Sequence, residues 1–259
     1  MFPEHTALAY REAARQGADL IECDLAITKV NVNLFVLICD KMSLFAGGCS
    51  KSFQDKKFIC VHEPYLSLTT DVANKSEFAS RLATYNMDDD DPLVDWNDKG
   101  DVTDWFSFDF TLDELRTLRK HQVNSFRDPD FDWKETIVTL EELVAITREE
   151  GKRQGRIIGV YPELKHSFAV NKVLADRGVE ERFEDLALQE LQRLGFNSTS
   201  DPIFLQSFEM TSLEYVKDKT GMKLVFLTER NLTNTDWERL AGLQLTGFLI
   251  KFLEHAIYD

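Results

Sequence analysis

Positive charge is what this chain has least of. Its 259 residues carry 30 Lys and Arg against 45 Asp and Glu, a formal net charge of −15. General binding to nucleic acid or to an anionic membrane needs clustered Lys and Arg, so the balance argues against both. Long apolar runs are also missing: no stretch approaches the roughly 20 residues needed to span a bilayer. The opening Met1-Phe2-Pro3-Glu4-His5 has neither a basic start nor a long apolar segment, so no signal peptide is visible here. Cysteine is scarce. The four, at 23, 39, 49 and 60, are too few for a disulfide scaffold and lack the spacing of a metal finger. Cys23 and Cys60 fall on strands and are expected to pack as small hydrophobes. Sequons at Asn74, Asn197 and Asn231 are about what chance supplies in a chain this long, and lean only weakly toward secretion.

What is present is an alternation of strands and helices, in a chain long enough for one α/β barrel domain spanning 1–259. Residues 4–17, "EHTALAYREAARQG", have helical spacing, with Thr6 as N-cap and Gly17 as stop. "ADLIECDLAITK" is mostly apolar and reads as a strand buried on both faces, interrupted by Glu22 and Asp24. Two apart on a strand, these carboxylates share a side, and burying both requires a cation or a basic partner. "KKFICVHEP" is a short strand ending in His62 and Glu63, followed by a long irregular acidic insertion over 64–110. Asp95–Gly100 half resembles a calcium loop, but its twelfth position would be Phe106 in place of Glu, which excludes an EF-hand. "FTLDELRTLRKH" and "VTLEELVAITREEGKR" read as helices. "RIIGVYPELKH" is a strand with Tyr161, Glu163 and Lys165 on one face. Further strands carry Gln206 with Ser207, and "MKLVFLTE"; the last 24 residues read as mostly helical. Five strands are expected, near 19–28, 57–62, 157–164, 202–208 and 223–228, and no hairpin signal separates them, so the sheet is expected to be parallel.

The motifs "PEHT", "GADLIECDLAITK", "VHEPYLS", "TDVA", "FTLDELRTLR", "TLEEL" and "GVYPELK" together resemble the glycerophosphodiester phosphodiesterase family, in particular its bacterial periplasmic-type group. The resemblance implies a TIM-type (β/α)8 barrel with a small insertion after the third strand, here 64–110. It implies a metal site of Glu22, Asp24 and Glu163 for a hard divalent cation, Ca²⁺ or Mg²⁺. By the same resemblance Lys165 sits beside the phosphate, His62 is one of two acid–base histidines, and Glu4 lines the site. The implied reaction hydrolyses small glycerophosphodiesters to glycerol 3-phosphate and an alcohol in glycerophospholipid catabolism, with a secreted, vacuolar or periplasmic location favoured. In the family an H-R-G strand precedes "PEHT" and two more strands follow the sixth. Strands 1, 7 and 8 are therefore expected to be missing here, and His5 belongs to the "PEHT" motif rather than replacing the absent histidine. This leaves an inactive fragment as the alternative expectation.

One segment departs from the family altogether. Deleting residues 30–54 leaves "ITKDKKFICVHEP", which matches without a gap. Val30-Asn31 and Phe53-Gln54 can be encoded by a splice donor and an acceptor, and the segment adds an apolar "LFVLI" with no assigned partner. We expect these residues to be a translated intron, the alternative being a genuine loop insertion of the kind chain entropy tolerates cheaply. A peptide from within 30–54 in the mature protein would decide for the loop.

Overall fold

The computed structural model describes residues 2–30, 55–89, 100–124, 126–229, 231–243 and 245, and the backbone of 247–250. The expectation for 30–54 falls, apart from Val30, outside the described residues. Helix α1 (Ala7–Arg15) starts where Thr6 accepts from the Ala9 N–H and stops before Gly17, whose φ of +104° suits glycine alone. Its buried face, Tyr10 and Ala14, leads the chain into β1 (Leu20–Ile27). β2 (Phe58–Cys60) follows, and a hairpin of β3 (Ala83–Asn86) and β4 (Asp101–Asp104) stands within the insertion. The 64–110 segment is thus not wholly irregular: a Thr84–Thr103 hydroxyl pair joins its strands, and Phe106 and Phe108 stack in the core beneath them.

Helix α2 (Leu112–Leu115) is a single turn closed by a Thr111–Glu114 capping box, shorter than the helix the sequence led us to expect. β5 (Val138–Thr139) runs straight into α3 (Leu140–Gln154), again opened by a capping box and ended at Gly155 with φ +69°. The remaining units are β6 (Gly159–Leu164), α4 (Ser167–Asp176), α5 (Phe183–Arg193), β7 (Phe204–Ser207), α6 (Met210–Val216), β8 (Lys223–Thr228), α7 (Asn234–Ala241) and β9 (Gly247–Ile250). None of the helices is long and apolar enough to cross a membrane, among the described residues.

These strands form one sheet in the order β5-β2-β1-β6-β7-β8-β9. From β1 to β9 every neighbour is parallel, as buried βαβ units require. The expected all-parallel sheet is corrected at the other end, where β2 pairs antiparallel with both β1 and β5. β1 and β2 are the arms of one hairpin: Thr28 N–H bonds Lys57 O at 2.9 Å and Asp55 N–H bonds Lys29 O at 3.3 Å. No hairpin signal was readable because the arms are joined through 30–54 instead of a two-residue turn. The C-terminal expectation is corrected as well. Among the described residues helix covers Asn234–Ala241, and "GFLI" adds a strand to the edge of β8, pairing Val225 with Gly247 through Thr228 with Ile250. A short apolar run has no period that separates strand from helix, and the open edge of β8 decided it. Among the described residues β9 and β5 do not pair, so the sheet is an open α/β barrel wall.

Candidate active site

Alternation along β1 sends Glu22 and Asp24 to one face and Cys23 to the other. The parallel register sets Glu163 beside Asp24 and Tyr161 beside Glu22, and places Gln206 of β7 next to Glu163. That register depends on a close approach at Gly159, where an added Cβ would stand 2.4 Å from Pro202 O and 2.7 Å from Leu20 Cδ2. Lys165 follows the end of β6, His62 lies in the bend after β2, and Glu4 and His5 precede α1. All the residues singled out in the sequence, Glu4, Glu22, Asp24, His62, Glu163 and Lys165, line a single cavity of about 450 Å³. Tyr161 and Gln206 line it as well, and the structure adds His5, Tyr10 and Arg127 to its walls.

Asp24 is the electrostatic centre. It is 6% exposed, with Oδ2 at 3.2 Å from His5 Nε2 and 4.0 Å from Lys165 Nζ. Burial opposes its charge, but Lys165 and His5 outweigh burial and hold its pKa far below the usual carboxylate range. Glu163 goes the other way: burial, reinforced by the charges of Asp24 and Glu22, pushes its pKa well up. Its buried Oε1 has no hydrogen-bond partner. Lys165 Nζ lies 3.2 Å from Glu63 Oε1, and the other Glu63 oxygen is 2.6 Å from His166 Nε2. Burial works against the Lys165 charge too, yet Asp24, Glu163 and Glu63 raise its pKa, so it is a fixed cation.

His62 is half exposed, and its Nδ1 lies 3.5 Å from Glu4 Oε1. Burial disfavours the Glu4 carboxylate, but His62, helped by Lys120 and His5, brings its pKa down to about 2. His5 is engaged at both nitrogens, Nδ1 with Tyr10 OH at 3.0 Å and Nε2 with Asp24. Burial lowers its pKa. The donor set suits a hard divalent cation: His5, Glu22 and Asp24 each place a ligand atom within 4.8 Å of the other two, and Glu163 brings its unused oxygen to the same cavity.

Residues 1–35 and 52–256 match the profile of the glycerophosphoryl diester phosphodiesterase family. The chain belongs to this family. It is 32% identical over 237 residues to glycerophosphodiester phosphodiesterase GDPD6 of Arabidopsis thaliana, covering 88% of this chain and 52% of that protein. It is 23% identical over 267 residues to the glycerophosphodiester phosphodiesterase of Haemophilus influenzae, covering 96% and 58% respectively. The chain therefore spans about half the length of the curated relatives it matches. Among solved structures it is similar to an Oleispira antarctica phosphodiesterase in complex with the product sn-glycerol-3-phosphate, with a TM-score of 0.53 at 17% identity over 95% of this chain and 69% of that one. That likeness shows the TIM-type fold.

Two features of this family member were not legible in its sequence. Cys23 and Cys60 are joined in a disulfide, with Cα atoms 5.4 Å apart, and do not pack as separate thiols. The antiparallel pairing of β1 with β2 is what brings them together: Leu25 faces Cys60, which leaves Cys23 as its diagonal neighbour on the same face. The second is Lys120, which is fully buried with no hydrogen-bond partner at Nζ. Burial drives its pKa down to about 8, only partly offset by Glu4 and Asp24. A lysine whose folded pKa lies below its unfolded value destabilises the fold at any pH where the unfolded chain is protonated. Lys120→Met should therefore stabilise the protein by about 1–3 kcal/mol at pH 7, from roughly 1.4 kcal/mol per pKa unit. The gain should shrink from pH 8 upward and vanish above pH 10.5, where lysine is neutral in both states. Urea denaturation across that range measures it; a gain that does not change with pH would show that folding does not shift the Lys120 pKa.

Proposed function

We propose that this chain is a metal-dependent phosphodiesterase that hydrolyses glycerophosphodiesters to glycerol 3-phosphate and a free alcohol, acting on deacylated phospholipids. The observation that carries this reading is the convergence of three carboxylates, a permanently charged lysine and a carboxylate-held histidine on one cavity. Membership of the family supports it.

Glu22, Asp24 and Glu163 would hold the cation, Ca²⁺ or Mg²⁺. His5 is less suited, since both its nitrogens already have partners, whereas Glu163 Oε1 has none. A bound divalent cation supplies polarisation of the phosphoryl group and neutralises its growing negative charge. The chain's own groups do the rest. Lys165, fixed between Glu63 and Asp24, gives a point charge to a phosphoryl oxygen. The 3.5 Å approach of His62 Nδ1 to Glu4 Oε1 turns that nitrogen toward the carboxylate and leaves Nε2 as the atom that gives a proton to the departing alcohol or takes one from water.

The test is release of choline and glycerol 3-phosphate from glycerophosphocholine by the purified protein with calcium, abolished by chelation. No release from cation-loaded protein would overturn the reading. His62→Gln should lower kcat by about 10²–10⁴-fold, the range for one well-placed acid–base group, while calcium still raises the melting temperature. A kcat within threefold of wild type would remove His62 from the chemistry.

Two further parts of the proposal concern setting and chain. An oxidising compartment, secreted, vacuolar or periplasmic, is supported by the Cys23–Cys60 disulfide. Residues 30–54 are an insertion in a barrel domain that otherwise spans the chain. Lys29 and Asp55 are hydrogen-bonded neighbours, and the family match passes over 36–51.

A further inference from the structure

Among the described residues Arg127 is the one guanidinium on the cavity wall, and the proposed reaction gives it no part. Its loop is built rather than loose. The loop closes on itself through Trp133 N–H to Lys120 O at 2.7 Å and Gln122 N–H to Asp132 Oδ1 at 2.8 Å. Phe131 packs on Phe2 with ring centroids 4.5 Å apart, tying the loop to the segment that carries Glu4 and His5. Arg127 itself is pinned by its N–H to Asn124 O at 3.0 Å.

Carboxylates surround this residue in sequence and in space: Asp128 and Asp130 follow it, and Glu4 shares its cavity. Yet its side chain forms no ion pair or hydrogen bond among the described residues, and its Nε is shielded from solvent with no acceptor. A guanidinium held this way lacks an anion. Its Nε–H and a neighbouring Nη–H form the side-on fork that matches two oxygens of a phosphate.

We infer that Arg127 is a phosphate-binding residue, clamping the phosphoryl oxygens of the substrate from the cavity rim while Lys165 holds them from the buried floor. This rests on the phosphodiesterase reading and adds a recognition element to it. Lys165 is 6% exposed and already satisfied by Glu63 and Asp24, so it contributes a charge from fixed depth. Arg127 is half-buried with its fork unused, so it contributes direction. A residue of this kind acts on binding: it selects ligands with two free oxygens on one phosphorus and raises affinity without changing the proton transfers.

The experiment is calorimetric titration of glycerol 3-phosphate, and separately of inorganic phosphate, into calcium-loaded wild type, Arg127→Ala and Arg127→Lys, with steady-state hydrolysis of glycerophosphocholine alongside. The expected result is a Kd for both ligands raised about 30-fold or more in Arg127→Ala and about 5–10-fold in Arg127→Lys, from loss of the bidentate charge-assisted pair. KM should rise in step, kcat should change less than threefold, and the calcium-dependent melting shift should stay as in wild type. Arg127→Ala binding glycerol 3-phosphate within twofold of wild type overturns the inference and leaves the phosphodiesterase reading intact. So does a fall in kcat at unchanged KM and Kd. If wild type itself neither hydrolyses the diester nor binds the product, the functional reading fails and the inference falls with it; that case is told apart because the failure is in the wild type. Should Arg127→Ala not fold, Arg127→Lys alone carries the test, and an unchanged Kd there overturns the inference.

Discussion

Glu22→Gln is expected to leave the cation-free protein melting where the wild type does, and to remove both the calcium-dependent stabilisation and about 10³-fold of the hydrolytic rate. Glu22 is the exposed member of the carboxylate trio, so exchanging its charge for an amide of the same shape disturbs little of the fold. In the proposed site its loss takes one negative ligand from a centre that would hold a doubly charged ion against water. A cation at 100 times its Kd stabilises a protein by about 2.7 kcal/mol, which would appear as a clear melting shift in the wild type and be absent in the variant. The rate estimate corresponds to about 4 kcal/mol, the scale of transition-state charge stabilisation by a metal. A variant that keeps the calcium shift at wild-type calcium concentrations would exclude Glu22 as a ligand. Asp24 is a poorer probe of the same idea. It is buried beside His5 and Lys165, and neutralising it leaves those partners uncompensated, so activity and folding would be lost together.

Breaking the Cys23–Cys60 disulfide should cost about 4 kcal/mol. The estimate comes from the loop it closes, a sequence separation of 37, through the entropy withdrawn from the unfolded chain. For a chain of this size that is a fall in melting temperature of about 10 °C. Thermal melts of wild type with and without a dithiol reductant, and of Cys60→Ser, measure it. Both sulfurs are fully buried, so the reductant should act only once the protein opens, and the reduced and Cys60→Ser proteins should then melt together. Melting unmoved by either treatment would show that the sulfurs are not joined. The dependence on loop length is shallow: with residues 30–54 removed the same bond would still contribute about 3 kcal/mol.

The site was more legible in the sequence than the pairing of the strands around it. Glu22, Asp24, Glu163 and Lys165 stood out because charged residues in apolar strands demand an explanation, and the register of β1 with β6 places the three carboxylates together, with Lys165 just past the end of β6. His62 and Glu4 came from the resemblance alone. His5, Lys120 and Arg127 gave no usable signal. His5 sits in a motif with its own assignment, Lys120 lies in "RTLRKH", which reads as the end of a helix, and Arg127 lies in "SFRDPD", for which no role is expected; a loop closure folds both inward. The five expected strands are all present, but local periodicity cannot report direction. The antiparallel run of β2 depends on contacts across 30–54, and the disulfide depends on that run, so both were hidden together.

That arrangement has an outcome for the covalent structure of the molecule. The strand proposed to bind the metal and the histidine proposed to move the proton lie on opposite sides of 30–54 in the sequence, and Cys23 and Cys60 bridge the same two sides. A protease cutting anywhere between Val30 and Asp55 would therefore yield a two-chain protein. Its light chain would carry Glu4, Glu22 and Asp24, its heavy chain His62, Glu163 and Lys165, and one sulfur–sulfur bond would hold half of the site to the other half. On a gel such a nick would be invisible until reductant is added.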